Sequence, residues 1–271
     1  MADIRKVATR QSYGEALVEL GAAHDDFVVL DADLAAATQT GKFKAAYPDR
    51  FIDVGVAEQN LMGVAAGIAT TGHRVFASTF AMFAAGRAFE QVRNSIGYPH
   101  LHVVIGATHA GMSVGEDGAT HQCNEDLALM RAIPGMTVIV PADDVEAKAA
   151  VRAAYEAEGP VYVRLGRLPV PVIHKDDYHF ELGRGVIERE GSDVTVIACG
   201  LEVPAALEAA KTLADKGVSC EVINMATIKP LDGDLIVASA RKTGRVVTVE
   251  EHSVIGGLGS AVCDLLCEAC P

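Results

Sequence analysis

Short unbroken apolar runs recur along the first part of the chain, at Phe27–Leu30, Val103–Ile105, Val138–Val140 and Val161–Val163. Between them lie Ala-rich segments with helical spacing, such as Glu58–Ala69 and Val145–Glu156. Runs that do not alternate with polar residues are strands buried on both faces, and strands alternating with helices predict a mostly parallel sheet covered on both sides. Near Leu168 the pattern breaks into Leu-Pro-Val-Pro-Val and then a polar stretch from His174 to His179, which reads as a linker. A second pattern starts at Asp193, with strands at Val194–Ala198, Ser219–Asn224 and Arg245–Glu250. Helices at Pro204–Lys216, near Leu231–Ala240 and at Gly257–Ala269 alternate with them, and Gly217 stops the first. The chain thus divides into two doubly wound α/β domains, a larger one over 1–175 and a smaller one over 191–271, with 176–190 between them.

Composition sharpens this picture in three places. Half of the 271 residues are apolar, enough for one large core or two ordinary ones. A net charge of −13 repels nucleic acid and anionic membranes alike, so an anionic small substrate has to meet a local cationic pocket. No apolar run approaches the roughly 20 residues that span a bilayer, and Met1 to Arg10 is polar where a signal peptide needs an apolar core, so a cytoplasmic protein is expected. The six cysteines then read as reduced thiols, mostly small buried hydrophobes. Cys263, Cys267 and Cys270 share one helical face, where core packing is the expectation ahead of a metal site; no metal is expected to be held by this chain alone.

Four segments carry candidate chemistry: Ala-Thr-Arg at 8–10, Gly-Val-Ala-Glu-Gln-Asn at 55–60, Ser-Thr-Phe-Ala-Met-Phe at 78–83, and Thr-His-Ala-Gly-Met-Ser-Val-Gly-Glu-Asp-Gly-Ala-Thr-His-Gln at 108–122. Glu58 sits where a Gly-containing strand end turns into an apolar helix, which suits either a sparsely solvated functional carboxylate or an ordinary first-turn acid favouring the helix dipole. Phe80 and Phe83 follow the strand-like run Val75–Thr79 and offer flat apolar faces to a heteroaromatic ring, or to the core. The segment 108–122 combines two histidines and two acids with Gly111, Gly115 and Gly118, as befits a tight loop that brings polar side chains up to a sugar. Its spacing matches no standard zinc pattern.

Each of the four segments resembles, in order, a segment of the pyrimidine-binding domain of transketolase, and the second domain resembles the transketolase C-terminal domain. The resemblance implies a thiamine diphosphate-dependent transferase that moves a two-carbon ketol unit between sugar phosphates. Glu58 matches the glutamate that hydrogen-bonds a nitrogen of the cofactor's aminopyrimidine, and Phe80 and Phe83 match aromatics that pack against that ring. Near Gly86 some relatives carry a third aromatic that is absent here. His109, Asp117 and His121 match residues that contact the sugar's hydroxyls and carbonyl, and a histidine can shuttle the protons of C–C cleavage. Arg10 matches a phosphate-binding arginine, Arg164 or Arg167 matches a second one, and Asp33 matches an acid near the cofactor. A family serine beside the phosphate is replaced by Ala37, with Thr38 adjacent.

The Gly-Asp-Gly motif and distant Asn with which transketolases hold diphosphate and magnesium do not occur here. The resemblance therefore implies a partner subunit that supplies the diphosphate- and magnesium-binding half, an α2β2 assembly, and active sites at its interfaces. The second domain has no nameable catalytic motif and is expected to serve dimer contact and packing. Pro271 falls where the family usually adds a further strand and helix, which implies a short or truncated C-terminus. Related readings are a split enzyme for a branched or sulfonated sugar, a deoxyxylulose phosphate synthase-like chain, a 2-oxo acid dehydrogenase β-like subunit, and a noncatalytic scaffold.

Overall fold

Strands that are apolar on both faces need helices above and below, and that requirement sets the layers of the molecule. The computed structural model describes residues 5–270; the expectations that touch Met1–Ile4 and Pro271 lie outside them. The first domain contributes strands β1 (Lys6–Ala8), β2 (Phe27–Asp31), β3 (Phe51–Asp53), β4 (Arg74–Phe80), β5 (Val103–Thr108), β6 (Thr137–Ile139), β7 (Val161–Arg164) and β8 (Pro169–Pro171). The second contributes β9 (Val186–Arg189), β10 (Val194–Ala198), β11 (Cys220–Asn224), β12 (Thr227–Lys229) and β13 (Val246–Val249). The runs read as strands from the sequence become β2, β5, β6, β7, β10, β11 and β13. Among the described residues no helix is long and apolar enough to cross a membrane.

The larger sheet has the order β12-β6-β7-β5-β4-β2-β3, and β2 to β7 run parallel. All the carboxyl ends of these strands therefore point to one edge, where loops gather polar side chains over an apolar base. Packing at that base is close. Gly106, inside β5, faces Tyr13 of the helix Thr9–Ala23, and a Cβ there would overlap the phenol ring. Tyr13 in turn hydrogen-bonds Ser78 of β4 across 2.7 Å, fixing the helix against the sheet with Arg10 at its first turn. Gly166 locks the same turn: its N–H donates to Thr9 Oγ1 at 2.8 Å and its carbonyl accepts from Arg10 N at 3.4 Å.

The smaller sheet, β13-β10-β11-β9, carries the second core. The two domains are not separate bodies joined by a tether. β12 leaves the second domain and pairs antiparallel with β6, so the larger sheet takes its outermost strand from the smaller domain. The segment expected as a linker is likewise built in. Pro169–Pro171 pairs antiparallel with β1, and within 176–190 the stretch Val186–Arg189 is the edge strand β9, paired with β11. The sequence suggests a linker because proline and polar residues interrupt the apolar period, whereas edge strands tolerate both.

The cysteine expectation is corrected in part. Cys123, Cys199 and Cys220 are buried, but Cys263 and Cys267 are exposed and Cys270 is half-buried. The helix Leu258–Ala269 turns Leu258, Ala261 and Val262 inward, which puts the cysteine face outward. Among the described residues no three His, Cys, Asp or Glu side chains are placed to hold a metal ion.

A polar cluster seals the domain junction. Asp143 caps the helix Asp144–Glu156 by accepting from Glu146 N at 2.9 Å, and its other oxygen accepts from the N–H groups of Ile173 and His174, each at 2.8 Å. The buried Glu146 carboxylate accepts from Tyr178 Oη at 2.6 Å and from Asn224 of the second domain at 2.8 Å. The His174 ring lies 3.0 Å from Asp143 Oδ1 and 2.9 Å from Glu188 Oε1 of β9. Burial alone would lower its pKa, but the two carboxylates outweigh burial and lift it to about 10. A folded pKa above the unfolded one means that stability from this ring is complete below pH ~6.5 and is lost as pH rises through about 10. Replacing His174 by Asn is therefore expected to lower the melting temperature at pH 7 and to flatten its decline between pH 7 and 10. Thermal melts of both proteins across that range are the check.

Candidate functional site

The carboxyl edge of the larger sheet brings together side chains far apart in sequence. Phe80 ends β4, and the π-helical turn Met82–Arg87 that follows carries Phe83 and Arg87 on one side. The rings of Phe80 and Phe83 are stacked, with centroids 5.6 Å apart and planes 18° apart. Phe80 also stacks on His109 at 3.8 Å, and His121 stands edge-on to Phe83 at 5.2 Å. The four rings form a continuous aromatic wall over the sheet edge.

One end of this wall is closed by a carboxylate. Glu58 opens the helix Glu58–Ala69, where unpaired N–H groups and the helix dipole favour a negative charge, and it is only 3% exposed. Arg87 donates from Nη1 to Glu58 Oε1 at 2.9 Å, and its guanidinium lies 4.5 Å over the Phe83 ring. Arg87 was not singled out by the sequence, since a pairing across 29 positions leaves no local signal.

The other end is cationic. Arg10 Nη1 donates to Ala37 O at 2.8 Å and lies 3.3 Å from His109 Nε2. Because a guanidinium can only donate, His109 Nε2 is the accepting nitrogen, and its Nδ1–H donates to Thr108 Oγ1 at 2.9 Å. His109 is buried and held at φ 58°, a left-handed backbone rare for residues other than glycine. Burial first, then the charge on Arg10, drives its pKa down to about 4, so the ring is neutral at neutral pH. Burial and the nearby charge of Arg167 lower the Arg10 pKa, with Asp117 opposing them. Arg167 is itself turned toward the loop, donating to Val114 O and to Glu116 Oε1 at 2.6 Å.

Other expectations resolve differently. Arg164 is not a surface cation: it is buried, pairs with Asp126 through Nε at 2.8 Å and Nη2 at 3.1 Å, and reaches the carbonyls of Cys123 and Glu251. Through Nε and Nη2 it is tied into the fold, whereas Arg167 turns toward the loop and Arg10. Asp33 stands exposed in a left-handed turn after β2, with its N–H on Asp53 Oδ1 at 3.1 Å. Thr38 is buried with its hydroxyl on Asp31 at 2.7 Å, so it does not stand in for the serine replaced by Ala37. Asp117 is exposed on the loop, near enough to Arg10 and His109 to shift both.

Glu58, Arg87, Phe83, Phe80, His121, His109 and Arg10 thus make one connected row, with Asp117 and Arg167 beside its cationic end. A carboxylate, flat apolar faces, a neutral imidazole and two arginines can bind a flat polar ring at one end and a phosphorylated polyol at the other. As pH falls from ~6.5 toward 4, the unfolded chain takes up a proton that His109 in the fold refuses, so this residue withdraws stability over that window. NMR of ring-labelled histidine is expected to show His109 as the neutral Nδ1–H tautomer from pH 8 down to about 5. In Arg10→Ala its titration midpoint should rise.

Comparison with known proteins gives a consistent result. The family model for the transketolase pyrimidine binding domain matches residues 5–172, and that for the transketolase C-terminal domain matches residues 183–270. A Methanocaldococcus jannaschii protein assigned as a transketolase C-terminal section is 52% identical over 95% of this chain and 81% of its own length. A 6-deoxy-6-sulfo-D-fructose transketolase subunit from Clostridium sp. is 45% identical over 97% of this chain and 81% of its own length. Among solved structures, a split-gene transketolase in an inactive beta4 tetramer superposes with a TM-score of 0.91 at 57% identity, covering 98% of this chain and 87% of that one.

Proposed function

This chain belongs to the transketolase family, and we propose that it is the pyrimidine-binding subunit of a split, thiamine diphosphate-dependent transketolase that moves a two-carbon ketol unit from a ketose phosphate to an aldose phosphate. The observation that carries this reading is the row from Glu58 through the aromatic wall to Arg10, a ring-binding end and a phosphate-binding end joined by a neutral histidine. The residues suit the aminopyrimidine: two stacked phenyl rings for its faces and one buried carboxylate for its nitrogen. The diphosphate and magnesium are assigned to an N-terminal partner subunit in an α2β2 assembly.

Thiamine diphosphate, when bound, supplies a nucleophilic ring carbon and an electron sink for the broken C–C bond. Arg87 takes Glu58 Oε1, which leaves Oε2 to share a proton with a ring nitrogen. Arg10 and Arg167 hold the substrate phosphate, and their mutual repulsion is relieved by the anion that comes between them. His109 presents an unprotonated Nε2 that takes a proton from a sugar hydroxyl and returns it, while Thr108 keeps the other nitrogen protonated. Asp117 and His121 select the hydroxyl pattern of the sugar.

A second reading, a split transketolase for an unusual sugar, is favoured by Ala37, which by the family resemblance replaces a phosphate-assisting serine. The 45% identical relative named for a sulfonated sugar supports it.

The test is transfer from xylulose 5-phosphate to ribose 5-phosphate with thiamine diphosphate and magnesium, with this chain alone and with a candidate partner chain. Turnover is expected only in the mixture. Glu58→Gln should lower it by about 10²–10⁴-fold with an unchanged melting temperature, the range for loss of a positioned acid–base group; an active variant would overturn the role of Glu58. Cofactor binding without transfer would point to the second reading.

A further inference from the structure

The sequence leaves the second domain with dimer contact and packing, yet one of its carboxylates reaches the loop that bears the side chains assigned to the sugar. Glu251 follows β13 and crosses the domain junction to Ser113, where Oε1 accepts the backbone N–H and Oε2 accepts the hydroxyl at 3.2 Å. The backbone is shaped around this contact. Gly111 sits at φ 79°, and a Cβ there would collide with the Glu251 carboxylate. Gly111 N also donates to Cys123 O at 2.9 Å, so the loop leaves and returns at one point. Arg164 Nη2 ties that point to the second domain through the carbonyls of Cys123, at 3.2 Å, and Glu251, at 2.9 Å. His109 lies two residues before Gly111, and Asp117 and His121 lie within the loop. The like charge of Glu202 stands close by: burial, reinforced by Glu251, raises the Glu202 pKa.

We propose that Glu251 is a positioning residue of the second domain, holding the loop 111–122 so that Asp117 and His121 meet the sugar; the sugar-binding part rests on the ketol-transfer reading above. Two hydrogen bonds donated by one residue to one carboxylate fix both the place and the orientation of the loop's first turn, which a single bond would leave free to rotate. Glutamine can make the same pair, accepting the N–H with its oxygen and donating to the hydroxyl with its amide, whereas alanine can make neither.

Hydrogen exchange followed by mass spectrometry on the full chain with its partner, for wild type, Glu251→Ala and Glu251→Gln, reads the loop directly. In Glu251→Ala the amides of 111–122 should exchange about tenfold faster or more, as expected for losing a charged hydrogen bond, while those of β5 and β10 keep their wild-type protection. Glu251→Gln should restore slow exchange to within about threefold, on the same hydrogen-bond energetics. In the transfer assay Glu251→Ala should raise the KM for the donor sugar by about tenfold with a smaller change in kcat, and leave thiamine diphosphate affinity within about twofold, because the loop binds sugar and not the ring. Unchanged exchange in the loop, loss of protection throughout the chain, or a glutamine variant as impaired as alanine would each overturn the proposal. A wild-type mixture that binds cofactor but transfers nothing would count against the ketol-transfer reading, and the exchange comparison would still decide whether Glu251 holds the loop.

Discussion

A guanidinium taken out of water at the end of β7 constrains most of what surrounds it. Removing one member of a buried ion pair costs about 3–5 kcal/mol because the other is left uncompensated, so Arg164 and Asp126 have to arrive together. Asp126 comes from the helix just after the loop, Tyr162 donates to the same carboxylate at 2.8 Å, and Arg164 Nη2 also reaches carbonyls of the loop stem and of the second domain. A charge that needs all of these partners ties sheet, loop and second domain to one arrangement.

Above this anchor the electrostatics run opposite to those of the chain as a whole. The protein carries a net charge of −13, yet Arg10 and Arg167 sit close enough to depress the proton affinity of Arg10 and of His109. An imidazole near two guanidiniums is held neutral by burial first and then by their repulsion, so its Nε2 stays unprotonated across the physiological range. The same repulsion is a reserve that an anionic group releases on binding.

Much of the fold was legible because its strands are buried on both faces and its helices are Ala-rich, so period and length agree. The segments around Glu58, Phe80 and His109 were singled out by their resemblance to transketolase, and the fold brings them to one edge because each lies at or shortly after a strand's carboxyl end. What escaped the sequence depends on long-range pairing. Arg87 looks like a surface residue of an amphipathic turn until the fold brings it to Glu58; Arg164 and Arg167 are three positions apart, and only the tertiary structure sends one inward and the other to the loop. Glu251 lies at a strand end in a domain with no recognisable motif, and its target is 138 positions away. The outward cysteine face escaped for a simpler reason: helical spacing groups residues on a face without saying which way that face points.

The strand β12 gives the molecule a seam unlike the one its chain order suggests. An edge strand left open invites pairing with other chains, and β6 is kept from being one by three residues that belong, in sequence, to the other domain. Recombination that exchanged the second domain for a relative's would have to deliver a strand able to pair with β6, as well as a carboxylate in reach of Ser113. Without both, β6 would be left an open edge and the loop stem at Ser113 would lose its carboxylate.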